Sequence, residues 1–154
     1  PIVLRLLFIT TYLFLIVLFV RTSKRFISFL VFSQAGVLVY VLFAAGVHQN
    51  HLTLAVPLAL ILGALVRPLI FESGIVVAMA FFNLVLFYGF SGEPLAPMPE
   101  VAGINLTVYL AVVYVGLGLF VVVRGVKYSL NPRVNQDQEL VLNEALKRAD
   151  EINY

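Results

Sequence analysis

The chain has 154 residues, of which 62% are apolar and 12% charged, with a mean hydropathy of +1.03. A soluble domain is nearer 45–50% apolar and about 25% charged, so this composition describes an integral membrane protein with little room for a separate soluble domain. The net charge of +2 fits basic cytoplasmic loops rather than nucleic-acid binding, and the absence of cysteine excludes disulfides, thiolate metal sites and iron–sulfur ligation. The first apolar segment has no small-residue cleavage site behind it, so no secretory signal is expected. The Pro1 start is read as initiator removal or trimming.

A spanning helix needs roughly 20 mainly apolar residues, and the chain holds five such segments. The first runs from about Ile2 to Val20 and closes at Arg21; the hinge that follows, Arg21-Thr22-Ser23-Lys24-Arg25, is strongly basic. The second runs from about Phe26 to Val47, and a neutral polar hinge, His48-Gln49-Asn50-His51, comes after it. The third runs from about Leu52 to Phe71, with Pro57 in its first turns and Pro68 near its end. Proline removes a backbone donor and crowds the preceding turn, so a local bend is expected at Pro57. Glu72-Ser73-Gly74 is expected to form a tight turn into the fourth segment, about Gly74 to Phe90. A loop rich in Pro and Gly, Ser91 to Gly103, precedes the fifth segment, about Ile104 to Val123. Arg124, Lys127 and Arg133 then lead into a polar tail.

These segments predict an all-α integral membrane protein: about five transmembrane helices over residues 1–128, then a cytoplasmic tail over 129–154. Lys and Arg concentrate in cytoplasmic loops, and alternating the segments puts every basic loop on one face. The expected topology is N-terminus outside and C-terminus cytoplasmic, in the inner (cytoplasmic) membrane. Within the tail, Leu142, Ala145, Leu146 and Ala149 recur at helical spacing, so residues 136–152 read as an amphipathic helix suited to a cytoplasmic partner. The plainer alternative is a helix that only caps the membrane domain.

Polar residues within the segments are few. Gln34 lies about two turns into the second segment, where a buried amide must hydrogen-bond; it serves either as a point on an ion path or as interhelical glue. Arg67 near hydrocarbon must reach the interface, line water or find a partner, and a local pair with Glu72 is the plainer reading. Glu72 is the one carboxylate near a segment end, and no acid falls in mid-segment on this division of the chain. His48 and His51 are three apart but lack a nearby third ligand, so no metal is expected. Asn83 and Asn105 read as helix-packing or helix-start residues, and Gly36, Gly63, Gly116 and Gly118 as points of close helix approach. No phosphate loop, nucleophile elbow, zinc-protease helix or dinucleotide fingerprint is present, so no catalytic residue and no cofactor is expected.

The stretches RTSKRFISFLVFSQAGVLVYVLFAAG and TLAVPLALILGALVRPLIF resemble the small K-type membrane subunit of respiratory complex I, and more closely component E of hydrogenase-4-type complexes. The shared features are the basic hinge, a second span with a polar residue two turns in, and the Pro68-Leu69-Ile70 step. The resemblance covers residues 1–72 best. It implies an accessory membrane subunit of a complex-I-related assembly, a membrane-bound hydrogenase or cation antiporter module, beside other membrane subunits in the lipid bilayer. K-type subunits carry acids in the second and third spans; here those positions fall at Gln34 and near Gly63, with Arg67 one turn later. The polar axis implied is therefore Gln34, Gly63, Arg67 and Glu72. The rival readings are a scaffold subunit of another respiratory or photosynthetic complex, and a small homo-oligomeric transporter.

Overall fold

The computed structural model describes residues 2–22, 25–43, 49–88 and 100–131. Five α-helices account for most of them: α1 (Ile2–Arg21), α2 (Phe26–Phe43), α3 (Ala55–Leu65), α4 (Ile70–Tyr88) and α5 (Leu106–Leu130). Among the described residues, four stretches are long and apolar enough to cross a membrane: Ile2–Arg21, Phe26–Phe43, Arg67–Val85 and Val108–Leu130.

The third pass is built differently. A 3-10 stretch, Gln49–Leu54, precedes α3, which has only eleven residues. Pro57 sits in the first turn of α3, where a helix tolerates a missing N–H, so the conformational change falls just before it. A 3-10 residue rises more than an α residue, and the seventeen residues together cover about 28 Å, close to the roughly 30 Å hydrocarbon core. The pass is antiparallel to α2. At one end Tyr40 meets His51 edge-on at 6.2 Å. At the other Leu62, Val66 and Leu69 pack on Leu30 and Val31.

The turn into the next helix lies at residues 65–69, not at Glu72-Ser73-Gly74 as the sequence implied. Pro68 has no N–H to continue the α3 ladder. Val66 leaves helical geometry (φ −128°, ψ 85°), and one 3-10 turn, Arg67–Leu69, restarts the chain. Glu72, Ser73 and Gly74 are thereby helical residues of α4. The last helix also exceeds expectation: α5 continues to Leu130, so Arg124 and Lys127 belong to it rather than to a following loop.

Before α5, the strands β1 (Glu100–Val101) and β2 (Ile104–Asn105) make a minimal antiparallel ladder. Its two-residue turn, Ala102-Gly103, has positive φ at both positions (52° and 74°), the twist that suits a tight hairpin. His48, most of the Pro-rich loop and the tail segment 136–152, expected from the sequence to be helical, lie outside the described residues.

Helix α2 is the centre of the bundle, packed against α1, α3 and α5, while α4 closes the far side against α3 and α5. Leu38, Val39, Ala55, Ala59 and Val76 are fully buried between them. Helix α1 touches mainly α2 and leaves a groove of about 650 Å³ walled by Phe8, Tyr12, Phe19, Phe32 and Tyr40.

Candidate functional site

Moving the turn to Val66–Leu69 places an acid inside a span. Glu72 lies in the first turn of α4 and is 4% exposed. A carboxylate there benefits from the unpaired N–H groups of a helix start. Its Oε1 accepts a hydrogen bond from Arg124 Nε at 2.8 Å, an ion pair that ties α4 to α5. The two partners sit in different surroundings: the Arg124 side chain is 56% exposed and that of Glu72 only 5%. Contact is through Nε alone, so it lacks the two-pronged geometry of the strongest arginine–carboxylate pairs.

The other oxygen, Oε2, is buried and has no hydrogen-bond partner among the described residues. It belongs to a residue that lines a cavity of about 20 Å³ between α2, α4 and α5. Gln34 and Ser73 are the other polar side chains of its wall; Val31, Leu38, Leu62 and Leu69 supply much of the remainder. Such a space holds about one water molecule, and three polar groups meet the number of partners a buried water needs. All three polar residues are themselves buried.

Local sequence explains the convergence. Gly125 lets α5 approach α2, since a side chain there would begin 3.3 Å from Val31 Cγ1. Gly63 does the same between α3 and α4: a Cβ would lie 3.1 Å from Ser73 Cβ and 3.2 Å from its Oγ. A further seam between α2 and α5 is closed by Ser129 Oγ donating to Ser28 Oγ at 3.0 Å, both buried.

Of the residues that sequence reasoning proposed for a polar axis, Gln34 and Glu72 share this cavity. Gly63 stands behind Ser73 and supports it without lining the space. Arg67 is exposed on the α3–α4 turn, outside the cavity wall, and Glu72 pairs with Arg124 instead. Ser73 and Arg124 were missed. Both lay in presumed loops, and the available signal was Pro68, which ends α3 early and draws Glu72-Ser73 into the next helix. Asn83 is buried on α4, and no cluster of three metal-binding side chains occurs among the described residues.

Glu72, Val76, Met79 and Asn83 recur at spacings of four, three and four, one face of α4. The face is polar at both ends and dry between, where Val76, Met79 and Ala80 are buried with Leu38 and Val39.

No protein-family model, curated protein or solved structure matches this chain.

Proposed function

We propose that the chain is an accessory membrane subunit of a complex-I-related ion-translocating assembly, a membrane-bound hydrogenase or cation antiporter module, in which it borders a proton or sodium path. The observation that carries this reading is the buried carboxylate Glu72, whose Oε2 has no hydrogen-bond partner among the described residues and which lines a small, mostly apolar cavity with Gln34 and Ser73. Ionisable groups within spanning segments are expensive, and where they occur they often mark ion pathways. Gln34 and Ser73 are the neutral members of the site, and Arg124 is its counter-ion. Redox chemistry belongs to partner subunits.

Two features favour a subunit over a self-contained transporter. The dry stretch around Val76 and Met79 separates the Glu72 cavity from the opposite end, so a continuous path calls for groups from a neighbour. Helix α1 also has only 6% of its apolar window fully buried, and the side turned away from α2 is left for lipid or other subunits. The orientation inferred from charge, with the basic hinge, the 65–69 turn and the end of α5 on the cytoplasmic side, would open the Glu72 end to the cytoplasm. The helix over 136–152 would then dock a cytoplasmic partner.

The same dry stretch suits a second reading, a scaffold subunit of another respiratory or photosynthetic complex. Purification of the tagged chain in mild detergent, with mass spectrometry of the co-purifying proteins, separates them. Antiporter-like or hydrogenase-like subunits in stable ratio support the proposal; unrelated partners support the scaffold; a homogeneous homo-oligomer contradicts both.

A further inference from the structure

We propose that the groove between α1 and α2 is a binding site for one anionic glycerophospholipid, with its two acyl chains in the groove and its phosphate at Arg21 and Arg25. This site goes beyond the subunit assignment and is independent of the Glu72 cavity.

One face of each helix builds the groove. On α1, Phe8, Tyr12, Leu15 and Phe19 recur at spacings of four, three and four; on α2, Phe29, Ser33, Gly36 and Tyr40 repeat them. Aromatic rings join the two helices at both ends. Phe8 meets Tyr40 at 6.1 Å, while Phe19 meets Phe32 at 5.5 Å and Phe29 at 6.4 Å. Between these contacts, the small residues Ser33 and Gly36 leave space beside Tyr12.

Size selects the class of occupant. Phe8 to Phe19 covers about 16 Å along a helix, close to one leaflet, half of the roughly 30 Å hydrocarbon core. A volume of about 650 Å³ over that length gives a mean cross-section of about 40 Å². A helix about 10 Å across needs roughly twice that, so the groove is too narrow to seat one from a partner. Two alkyl chains, each about 4 Å across at carbon contact distance, lie side by side within it.

Charge selects the headgroup. The groove starts two residues from the hinge end of α1 and stops six residues short of the other end, so it is displaced toward the basic hinge. Phe29 lies one turn inside Arg25, whose carbonyl accepts the Phe29 N–H at 2.9 Å, so Arg25 stands at the hinge end of the groove. Arg21 is the exposed last residue of α1. Arg67, Arg124 and Lys127 fall at the same end of the bundle, and the one described acid there, Glu72, is already paired with Arg124. Guanidinium groups bind phosphate oxygens through paired N–H donors, and basic residues beside the membrane draw anionic lipid.

The test keeps the full chain, with any bound subunits, in mild detergent. It titrates dioleoylphosphatidylglycerol against dioleoylphosphatidylcholine, which share their chains and differ in headgroup charge. Native mass spectrometry counts the lipids that stay bound. One phosphatidylglycerol is expected to bind about tenfold more tightly than phosphatidylcholine, and Arg21→Gln and Arg25→Gln are each expected to weaken it about fivefold. Ser33→Trp, which fills the groove and leaves the charges in place, is expected to abolish its retention. Arg5→Gln, near the far end of the groove, is expected to leave binding unchanged. Equal retention of the two lipids overturns the proposal, as does loss of binding in Arg5→Gln. Full retention in Ser33→Trp overturns it in favour of a lipid on the hinge surface alone. A complex that holds a second copy of the chain and no phosphatidylglycerol overturns it in favour of a protein occupant. The comparison of the two lipids needs no variant, so it decides the matter even if Ser33→Trp misfolds.

Discussion

Helices α1 and α2 lie side by side and are almost equally apolar, yet 6% of the first and 44% of the second is buried. Hydropathy does not separate them, because hydrocarbon solvates a leucine as well as a neighbouring helix does. Side-chain size and polarity do. Helix α2 carries Ser28, Ser33, Gln34, Ala35 and Gly36 in one stretch, which lets other backbones approach and gives them something to bond. Helix α1 offers bulky groups around most of its circumference, and only Leu15 is buried. A membrane helix becomes central when it is small and slightly polar on several sides.

Four substitutions break or sharpen this contrast. The largest effect is expected at the α3–α4 contact. Gly63→Val drives a branched side chain into Ser73, and overpacking of this kind costs about 3 kcal/mol. A lowered midpoint in denaturing-detergent titration is the readout. In α2, Leu38→Ala empties a fully buried position and is expected to lower stability by about 2 kcal/mol in the same titration. Gln34→Leu removes one polar wall of the cavity. Polar contacts in membranes average about 0.6 kcal/mol, so its cost should stay near that value in the same titration. A loss of several kcal/mol would instead make Gln34 the glue that holds the bundle. Smallest is Leu13→Ala on the exposed side of α1, expected within about 0.5 kcal/mol of the parent. If Leu13→Ala proves as damaging as Leu38→Ala, the contrast between the helices is void.

The all-helical architecture and the approximate starts of the first three passes were legible in the sequence, because long apolar runs and a basic hinge are local signals. Gln34 was legible as well, being polar in an otherwise apolar run. The site was only half legible. Its acid looked interfacial because the apolar run resumes directly after Arg67-Pro68, and the break made by Pro68 is a backbone event that apolar averages hide. Arg124 looked like a loop residue because a charge was taken as the end of a span, although nothing between Val123 and Leu130 stops a helix. The pairing of Glu72 with Arg124, 52 residues apart, is a tertiary fact, and no spacing within either helix announces it.

The central claim is that α2, α4 and α5 converge around Glu72 at one end of the bundle. The cysteine-free chain allows a direct test with the double variant Ser28→Cys, Ser129→Cys, whose native hydroxyls are 3.0 Å apart. Mild oxidation in the membrane, followed by cleavage in the loop before α5, is predicted to leave the two fragments joined until reductant is added. Fragments that separate without reductant, while a control pair such as Val20→Cys, Ser129→Cys at the matching end of α1 cross-links, would place α5 against α1 and contradict the account.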